Sequence, residues 1–463
     1  MKKRLTRRQF VATAGAAATV TFLGQSLVNG AFAAPPLVRR DVGGMDASDP
    51  ILVSYRKAIK AMKALPASNP LSWAYQAAIH GTFTMPPLTA WNTCEHNTEF
   101  FWSWHRMYLY WFERIVQKLS GHHCWALPYW NWAPGSELHL PAPFRDQTSE
   151  LYTVNRNPAM NNGTGSLNPG AIAIGPAFSV VNFMTANSII QGPHGSVHVQ
   201  TGGWMSSVPT AAQDPIFYLH HSNVDRLWDL WLAQGSGRTD PVLDTNWTSH
   251  QHTFFKENGN PVKMTACQIL RAAQQLNYVY EGEPPQVNEY CPKLVAAAQT
   301  FEKEVLIRVP IPPVELKPEV VSFPIEIKDL RPRLAPLVES ANDAVLLELD
   351  DVVAEKQPGV VWEVYVGLPE GAQPDPKSPY YVGSLSLFGA GVRSEAHGAF
   401  KPARFVYPIN RALQAALKAN EDRVPVTFVP IGILIDGKPS RPEVQSPVRI
   451  GRVTLTLERA KPK

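Results

Sequence analysis

The hydrophobic pattern splits this chain into a helical part and a strand-rich part. Across residues 99–119 apolar side chains, among them Phe100, Phe101, Trp102, Trp104, Trp111 and Phe112, occupy nearly every face of a 3.6-residue repeat. Such a segment predicts a helix buried at the centre of a domain. Ser68-Asn69-Pro70 caps a shorter helical segment that runs through His80 and stops at Gly81, with Trp73, Ala77 and His80 at helical spacing. His194 and His198 are four apart and share one face of a third helix, which Gly202-Gly203 breaks. Asp214 is a good N-cap and Pro215 a good first residue for a fourth, expected to end near Gln234-Gly235. Residues 133–190, rich in Asn, Gly and Pro and without periodicity, read as long surface loops rimming an opening.

Past residue 309 the pattern changes. Val309-Pro310-Ile311-Pro312-Pro313 opens a proline-dense stretch to about Pro336, expected as a semi-rigid linker. Beyond it lie short β-branched and aromatic runs at 345–349, 360–366, 380–387, 424–429 and 448–457, separated by turns and by one helix at 410–418. These predict an all-β sandwich or barrel. The expected organisation is a targeting segment at 1–34, a mainly α domain at 35–309 built as a four-helix bundle with long loops, a linker at 310–336, and an all-β, sandwich-like C-terminal domain at 337–463.

Composition adds core and removes partners. With 44% hydrophobic residues, 13 Trp, 14 Tyr and 19 Phe, the 463-residue chain can fill two domains. The formal charge of +4 looks basic, but five of the 43 Lys and Arg lie in residues 1–34, which hold no acid. The remainder is near neutral, with 38 basic against 39 acidic residues, so charge gives no reason to expect nucleic acid or a membrane surface as partner. Thr6-Arg7-Arg8-Gln9-Phe10 is a twin-arginine pattern, followed by a short, mildly apolar segment and a small-x-small cleavage site at Ala31-Phe32-Ala33. The expectation is a bacterial protein exported already folded, through the twin-arginine machinery, to the periplasm or medium. Four cysteines are too few for a disulfide scaffold; a Cys267–Cys291 bridge and buried thiols are both compatible with export.

The candidate chemistry lies in histidine. His80, His96, His105, His194, His198 and one of His220 or His221 make two triads of imidazoles without carboxylate or thiolate. Such sets suit copper or zinc rather than magnesium, calcium or an iron-oxygenase site. His96 and His105 are nine apart and cannot share a helix face, which places His96 in the approach loop. Two such metals with open positions facing one another leave room for dioxygen between them.

Here the pattern resembles the tyrosinase and polyphenol oxidase (catechol oxidase) family of type 3 copper proteins. The likeness covers residues 80–228: His80, then Cys94-x-His96 followed after eight intervening residues by His105-Arg106, Glu113, Pro193-His194-x-x-x-His198, and Asp214-Pro-x-Phe217-x-x-His220-His221-x-x-x-Asp225-Arg226-x-Trp228. The resemblance implies two copper ions, one held by His80, His96 and His105, the other by His194, His198 and His221, with His220 a neighbour in the wall. It implies oxidation of small o-diphenols to o-quinones by O2, with weaker hydroxylation of monophenols. Phe217 and Asp225, four before and four after His221, share its helix face as packing and orienting partners. Cys94 stands where some members form a thioether to the ligating imidazole; a free buried thiol is the other reading.

Val208 lies where members carry a residue over the second copper, and a valine leaves the mouth open. Gln191 and Gly195 stand where members place a water-holding glutamate and a helping asparagine. Gln191 anchors a water without charging it and Gly195 offers no side chain, which favours diphenols. The β-rich part is similar to the C-terminal domain that keeps plant members latent, with residues 388–400 as the expected covering loop. An oxygen-binding protein without turnover is the alternative with the same site; a dizinc hydrolase fits less well, since such sites mix in carboxylates.

Overall fold

The computed structural model describes residues 35–133, 137–283, 298–310, 314–395 and 400–461. Helix α1 (Pro50–Lys63) was not anticipated from the sequence. Asp49 caps it by accepting from the Ile51 amide, Pro50 occupies its first turn, and Leu52, Tyr55, Ile59 and Met62 form its buried stripe. The segment expected from residue 68 becomes helical only at α2 (Trp73–His80), because Ser72 supplies the cap by accepting from the Tyr75 amide. Helix α3 (Phe101–Ser120) is buried along most of its length and ends at Gly121 in the left-handed conformation. Helix α4 (Gln191–Thr201) carries His194 and His198, and helix α5 (Ile216–Ala233) carries His220 and His221. The helix α3 packs against both α1 and α5.

Two short strands, β1 (Leu37–Arg39) and β4 (Tyr278–Tyr280), pair in parallel and bring distant chain segments behind α3 and α5. Between them in sequence, β2 (His252–Phe255) and β3 (Pro261–Met264) form a hairpin. The parallel pair carries a buried charge cluster. Arg39 donates to Glu113 at 3.0 Å and to Asp225 at 3.2 Å. Arg106 Nε pairs with the other Asp225 oxygen, and the Tyr278 and Tyr280 hydroxyls donate to Asp225 at 2.5 and 2.6 Å. Burial alone raises the Asp225 pKa, but the Arg106 and Arg39 charges and the two hydroxyls hold it below the ordinary carboxylate value. The carboxylate is thereby spent on this cluster. It shares a helix face with His221 but makes no hydrogen bond to it, contrary to the orienting role expected of it.

The C-terminal sandwich consists of two antiparallel four-stranded sheets. One is ordered β10 (Tyr381–Leu385), β9 (Val361–Val366), β12 (Arg423–Ile431), β7 (Val321–Glu326). The other is ordered β11 (Ala403–Pro408), β8 (Asp343–Val352), β13 (Arg452–Ala460), β5 (Phe301–Val309). Alternate residues of both sheets, such as Leu347, Leu349, Trp362, Val364, Phe428 and Leu455, share one apolar core.

The stretch 310–336 is therefore not a linker. It supplies β6 (Val314–Leu316), β7 and the start of α6 (Arg331–Glu339), and the β-rich part already begins with β5. Its prolines are compatible with order: Pro324 lies on an edge strand opposite Pro425, and Pro332 sits in the first turn of α6. From Pro36 onward the described residues form one compact unit, and Leu346, Val361, Phe388 and Val406 of the β-rich part belong to the helical core. Cys267 is disulfide-bonded; its expected partner Cys291 lies outside the described residues, as do residues 1–34 and 396–399.

Asp225→Ala leaves Arg39 and Arg106 buried without their shared anion, and is expected to lower the unfolding free energy by about 3–5 kcal/mol. Urea unfolding of the metal-free variant and wild type checks this; a loss under about 1 kcal/mol would mean that the cluster is not holding the core together.

Candidate metal centre

The six expected histidines, together with His220, meet in one buried chamber, where four helices and one loop converge. His80 is the last residue of α2, His96 lies in the loop before α3, His105 sits one turn into α3, and the rest come from α4 and α5. Ring centroids of His80, His96 and His105 are 5.1–5.9 Å apart. Those of His194, His198 and His221 are 4.7–5.4 Å apart. The two groups adjoin: His105 and His221 stack at 4.2 Å and 6°.

Each triad shows how an imidazole is kept ready for a cation. Neutral Nδ1–H groups of His80, His105 and His198 donate to the carbonyls of Val208, Phe101 and Met205 at 3.1, 2.8 and 2.8 Å. That tautomer leaves Nε2 as a lone pair, and Nε2 of His80, His96 and His105 has no hydrogen-bond partner although buried. His194 has neither nitrogen partnered, and His221 Nε2 faces His198 Nε2 at 3.3 Å. Burial, then the neighbouring imidazoles, drive His80, His96, His194, His198 and His221 well below the ordinary histidine pKa. Burial brings His105 and His220 to about 3. Neutral, convergent imidazoles with orphaned lone pairs and no carboxylate among them fit two copper ions.

The other expected residues fall in different places. Phe217 lies 4.3 Å from the His221 ring and 4.7 Å from that of His80, packing both groups. Val208 lines a cleft of about 300 Å3 beside His80 and His96, and its carbonyl accepts from the His80 Nδ1–H. Cys94 Sγ is 3.2 Å from His96 Nδ1, and burial pushes its thiol pKa well above the ordinary value.

Gln191 is engaged by two backbone groups. Its oxygen accepts from the Asn97 amide at 2.5 Å and its NH2 donates to the Asn187 carbonyl at 3.1 Å, so the side chain ties α4 to the loop carrying His96. Gly195 also has another reason to be glycine. A Cβ there would stand 2.8 Å from Ser386 Oγ and 3.2 Å from Phe388 Cβ, and one at Gly192 would stand 2.7 Å from the Ser384 carbonyl. The two glycines let α4 lie directly on β10 and the segment after it. An asparagine at 195 would push the β-rich part away, so that exchange cannot isolate an effect on phenol deprotonation.

Over the chamber sits Phe388, within the expected covering segment. Its ring stacks on His198 at 3.7 Å and 6°, and meets His96 and His194 edge-on at 5.4 and 5.6 Å. Sequence reasoning missed Arg39, Tyr278, Tyr280 and the carbonyls of Val208 and Met205; the first three are far from the motifs in sequence, and a carbonyl carries no sequence signal.

A buried chamber of converging histidines on a helical core, capped by a β-sandwich, defines a dinuclear metalloprotein class. Family profiles place it more closely: the common central domain of tyrosinase matches residues 70–176 and 176–234, the polyphenol oxidase middle domain matches 242–290, and a domain of unknown function, DUF7868, matches 325–458. The chain thus contains a tyrosinase-type central domain followed by a polyphenol-oxidase-type middle domain. It is 35% identical over 289 residues to tyrosinase HcTyr1 of Hahella sp. (strain CCB-MM4), covering 50% of this chain and 61% of that one. It is 28% identical over 373 residues to the latent form of a chloroplastic polyphenol oxidase of Prunus armeniaca, covering 69% of this chain and 61% of that one. The chain thus spans about three-fifths of these relatives. The fold matches latent apple tyrosinase with a TM-score of 0.64 at 24% identity, over 92% of this chain and 97% of that one. Latent aurone synthase matches with a TM-score of 0.67 at 20% identity, over 96% and 93%.

The depressed histidine pKa values carry a sign. The unfolded chain takes up protons below about pH 6.5 while the folded chamber stays neutral, so stability of the metal-free protein is full above that pH and falls as pH drops toward about 3. Urea midpoints of the metal-free chain between pH 7.5 and 5 should decline steadily below about 6.5; a flat profile would contradict neutral, buried imidazoles.

Proposed function

We propose that this chain is a latent dicopper phenol oxidase that takes o-diphenols to o-quinones at the expense of O2. The observation that carries the reading is the convergence of unpartnered imidazole nitrogens beneath an aromatic ring supplied by the β-rich part. His80, His96 and His105 hold one copper ion, and His194, His198 and His221 the other. When bound, the pair supplies the electron exchange between the phenol and O2. Two catechols each give up two electrons and two protons, and one O2 becomes two waters.

The chain's own residues set access, orientation and proton handling. Phe388 occupies the place where a substrate ring would lie flat on the His198 imidazole, so substrate and Phe388 compete for one surface. Phe101 and Phe217 wall the chamber and keep it dry. At positions 191 and 195 stand an uncharged glutamine committed to Asn97 and Asn187 and a bare glycine, so catechols, more acidic and able to bind through two oxygens, are favoured over monophenols. His221 is preferred to His220 as a ligand because its Nε2 points at His198 Nε2 and its ring touches the first triad, whereas His220 stacks on His194 and packs against Trp132. Cys94 stands ready for a thioether to His96: the carbon–sulfur bond replaces the S–H bond and one ring C–H bond, O2 takes the two electrons and two protons as hydrogen peroxide, and the chain is left two hydrogens lighter.

Among the described residues no helix is long and apolar enough to cross a membrane. The twin-arginine pattern in residues 1–34 is assigned to export of the folded, metal-loaded protein to the periplasm or medium.

His221→Ala should lose about half of the bound copper and all catechol oxidation, since an open three-ligand site cannot spare a ligand, while His220→Ala keeps both. The reverse pattern, by elemental analysis and quinone formation, would exchange the two assignments. Phe388→Ala in the full chain should raise kcat/KM for catechol about tenfold at unchanged copper content, in line with a stacked contact worth about 0.5–1.5 kcal/mol. Unchanged turnover would remove Phe388 as the cover, and no turnover in either form would favour oxygen binding alone.

A further inference from the structure

Outside the histidine chamber, a second group of metal-capable side chains includes Glu95, the neighbour of His96 in the loop before α3. Glu95, His250 and His252 offer one carboxylate oxygen and two ring nitrogens that all lie within 4.8 Å of one another. The backbone explains the pairing. His250 terminates a short helix in an extended conformation and β2 begins at His252, so the two histidines, two apart on extended chain, share one side. Their rings are 4.7 Å apart. Both rest on Phe100, His250 stacked at 4.7 Å and His252 edge-on at 5.4 Å, which limits their freedom.

An independent feature points to a missing partner. His252 is 7% exposed, and its Nε2 is buried with no hydrogen-bond partner. His250, by contrast, is exposed, and the cluster opens into a cleft of about 680 Å3 lined by Tyr75, Leu88, Thr93, Glu95, His250 and His252. The Thr98 hydroxyl bonds the Glu95 carboxylate, the kind of outer contact that orients a ligating oxygen. Two imidazoles, one carboxylate and open positions toward water suit a borderline divalent transition-metal ion, and do not suit calcium or magnesium, which require mostly oxygen donors.

We propose that Glu95, His250 and His252 form a mononuclear site for a divalent transition-metal ion, separate from the dinuclear centre. Bound there, the ion ties the 94–97 loop, and with it His96, to strand β2. The site requires none of the six histidines of the chamber, so it stands whether or not the assignment of those ligands is right.

The test uses the full chain with its copper in place. Zinc chloride is added, excess is removed by desalting, and zinc and copper are counted by elemental analysis, with zinc affinity measured by calorimetry. The expected result is about one zinc per chain with the copper count unchanged. His250→Ala, at an exposed position, and Glu95→Gln, nearly isosteric, should each weaken zinc binding at least about tenfold. His252→Ala should abolish it, and if that buried change prevents folding the other two variants decide. Failure of the wild type to keep zinc, equal zinc binding in His250→Ala and Glu95→Gln, or zinc uptake only with matching copper loss would each overturn the proposal. A copper count other than two would bear on the six-histidine reading instead.

Discussion

An imidazole serves a metal only when it is neutral, aimed, and has one nitrogen free, and most of the helical core is arranged around meeting those conditions several times in one chamber. Burial keeps the rings neutral, while the carbonyls of Val208, Phe101 and Met205 take the Nδ1 hydrogens of His80, His105 and His198. Each such contact limits the backbone nearby. The Val208 carbonyl comes so close to the end of α2 that a Cβ on Gly81 would stand 2.6 Å from it, and this near approach, not an unusual backbone angle, calls for glycine.

Holding α3 and α5 at the spacing that makes His105 and His221 stack falls to the ions behind them. Arg106 on α3 and Asp225 on α5 are partners, and Arg39 joins the same carboxylate from β1. Cation–π contacts brace the cluster, with Arg39 3.6 Å from the Tyr278 ring and Arg106 3.9 Å from that of Trp228. A buried pair of this kind is weak evidence for net stability, but breaking it is costly, so it acts mainly to fix one register of the two helices.

The β-rich part extends the same chamber rather than adding a separate body. Its segment after β10 places Phe388 on His198, Asn97 and Arg404 exchange two hydrogen bonds across the join, and Glu458 accepts from Asn182 and Thr185. Helix α4 can meet it this closely because Gly192 and Gly195 present only hydrogen toward Ser384, Ser386 and Phe388. One surface of α4 thus bears imidazoles and glycines for two different neighbours. That makes access to the centre a property of how the two parts meet.

Sequence by itself determined the local features. Apolar periodicity marked α3, Asp214-Pro215 marked the approach to α5, β-branched runs marked the sandwich, and histidine spacing marked the triads, because helix face, capping and donor chemistry are properties of a few neighbouring residues. The cap and stripe of α1 are local too, whereas 310–336 is ambiguous in sequence, since proline density looks alike in a linker and on a sheet edge. The roles of Gln191, Gly195 and Asp225 were decided only in three dimensions. A glutamine ties a loop when backbone groups come within its reach, as those of Asn97 and Asn187 do here, and a carboxylate anchors arginines when they lie closer to it than the histidine. Those partners, Asn97, Ser386, Arg39 and Arg106, lie 94 to 191 residues away in the chain, and nothing in local spacing encodes that they meet.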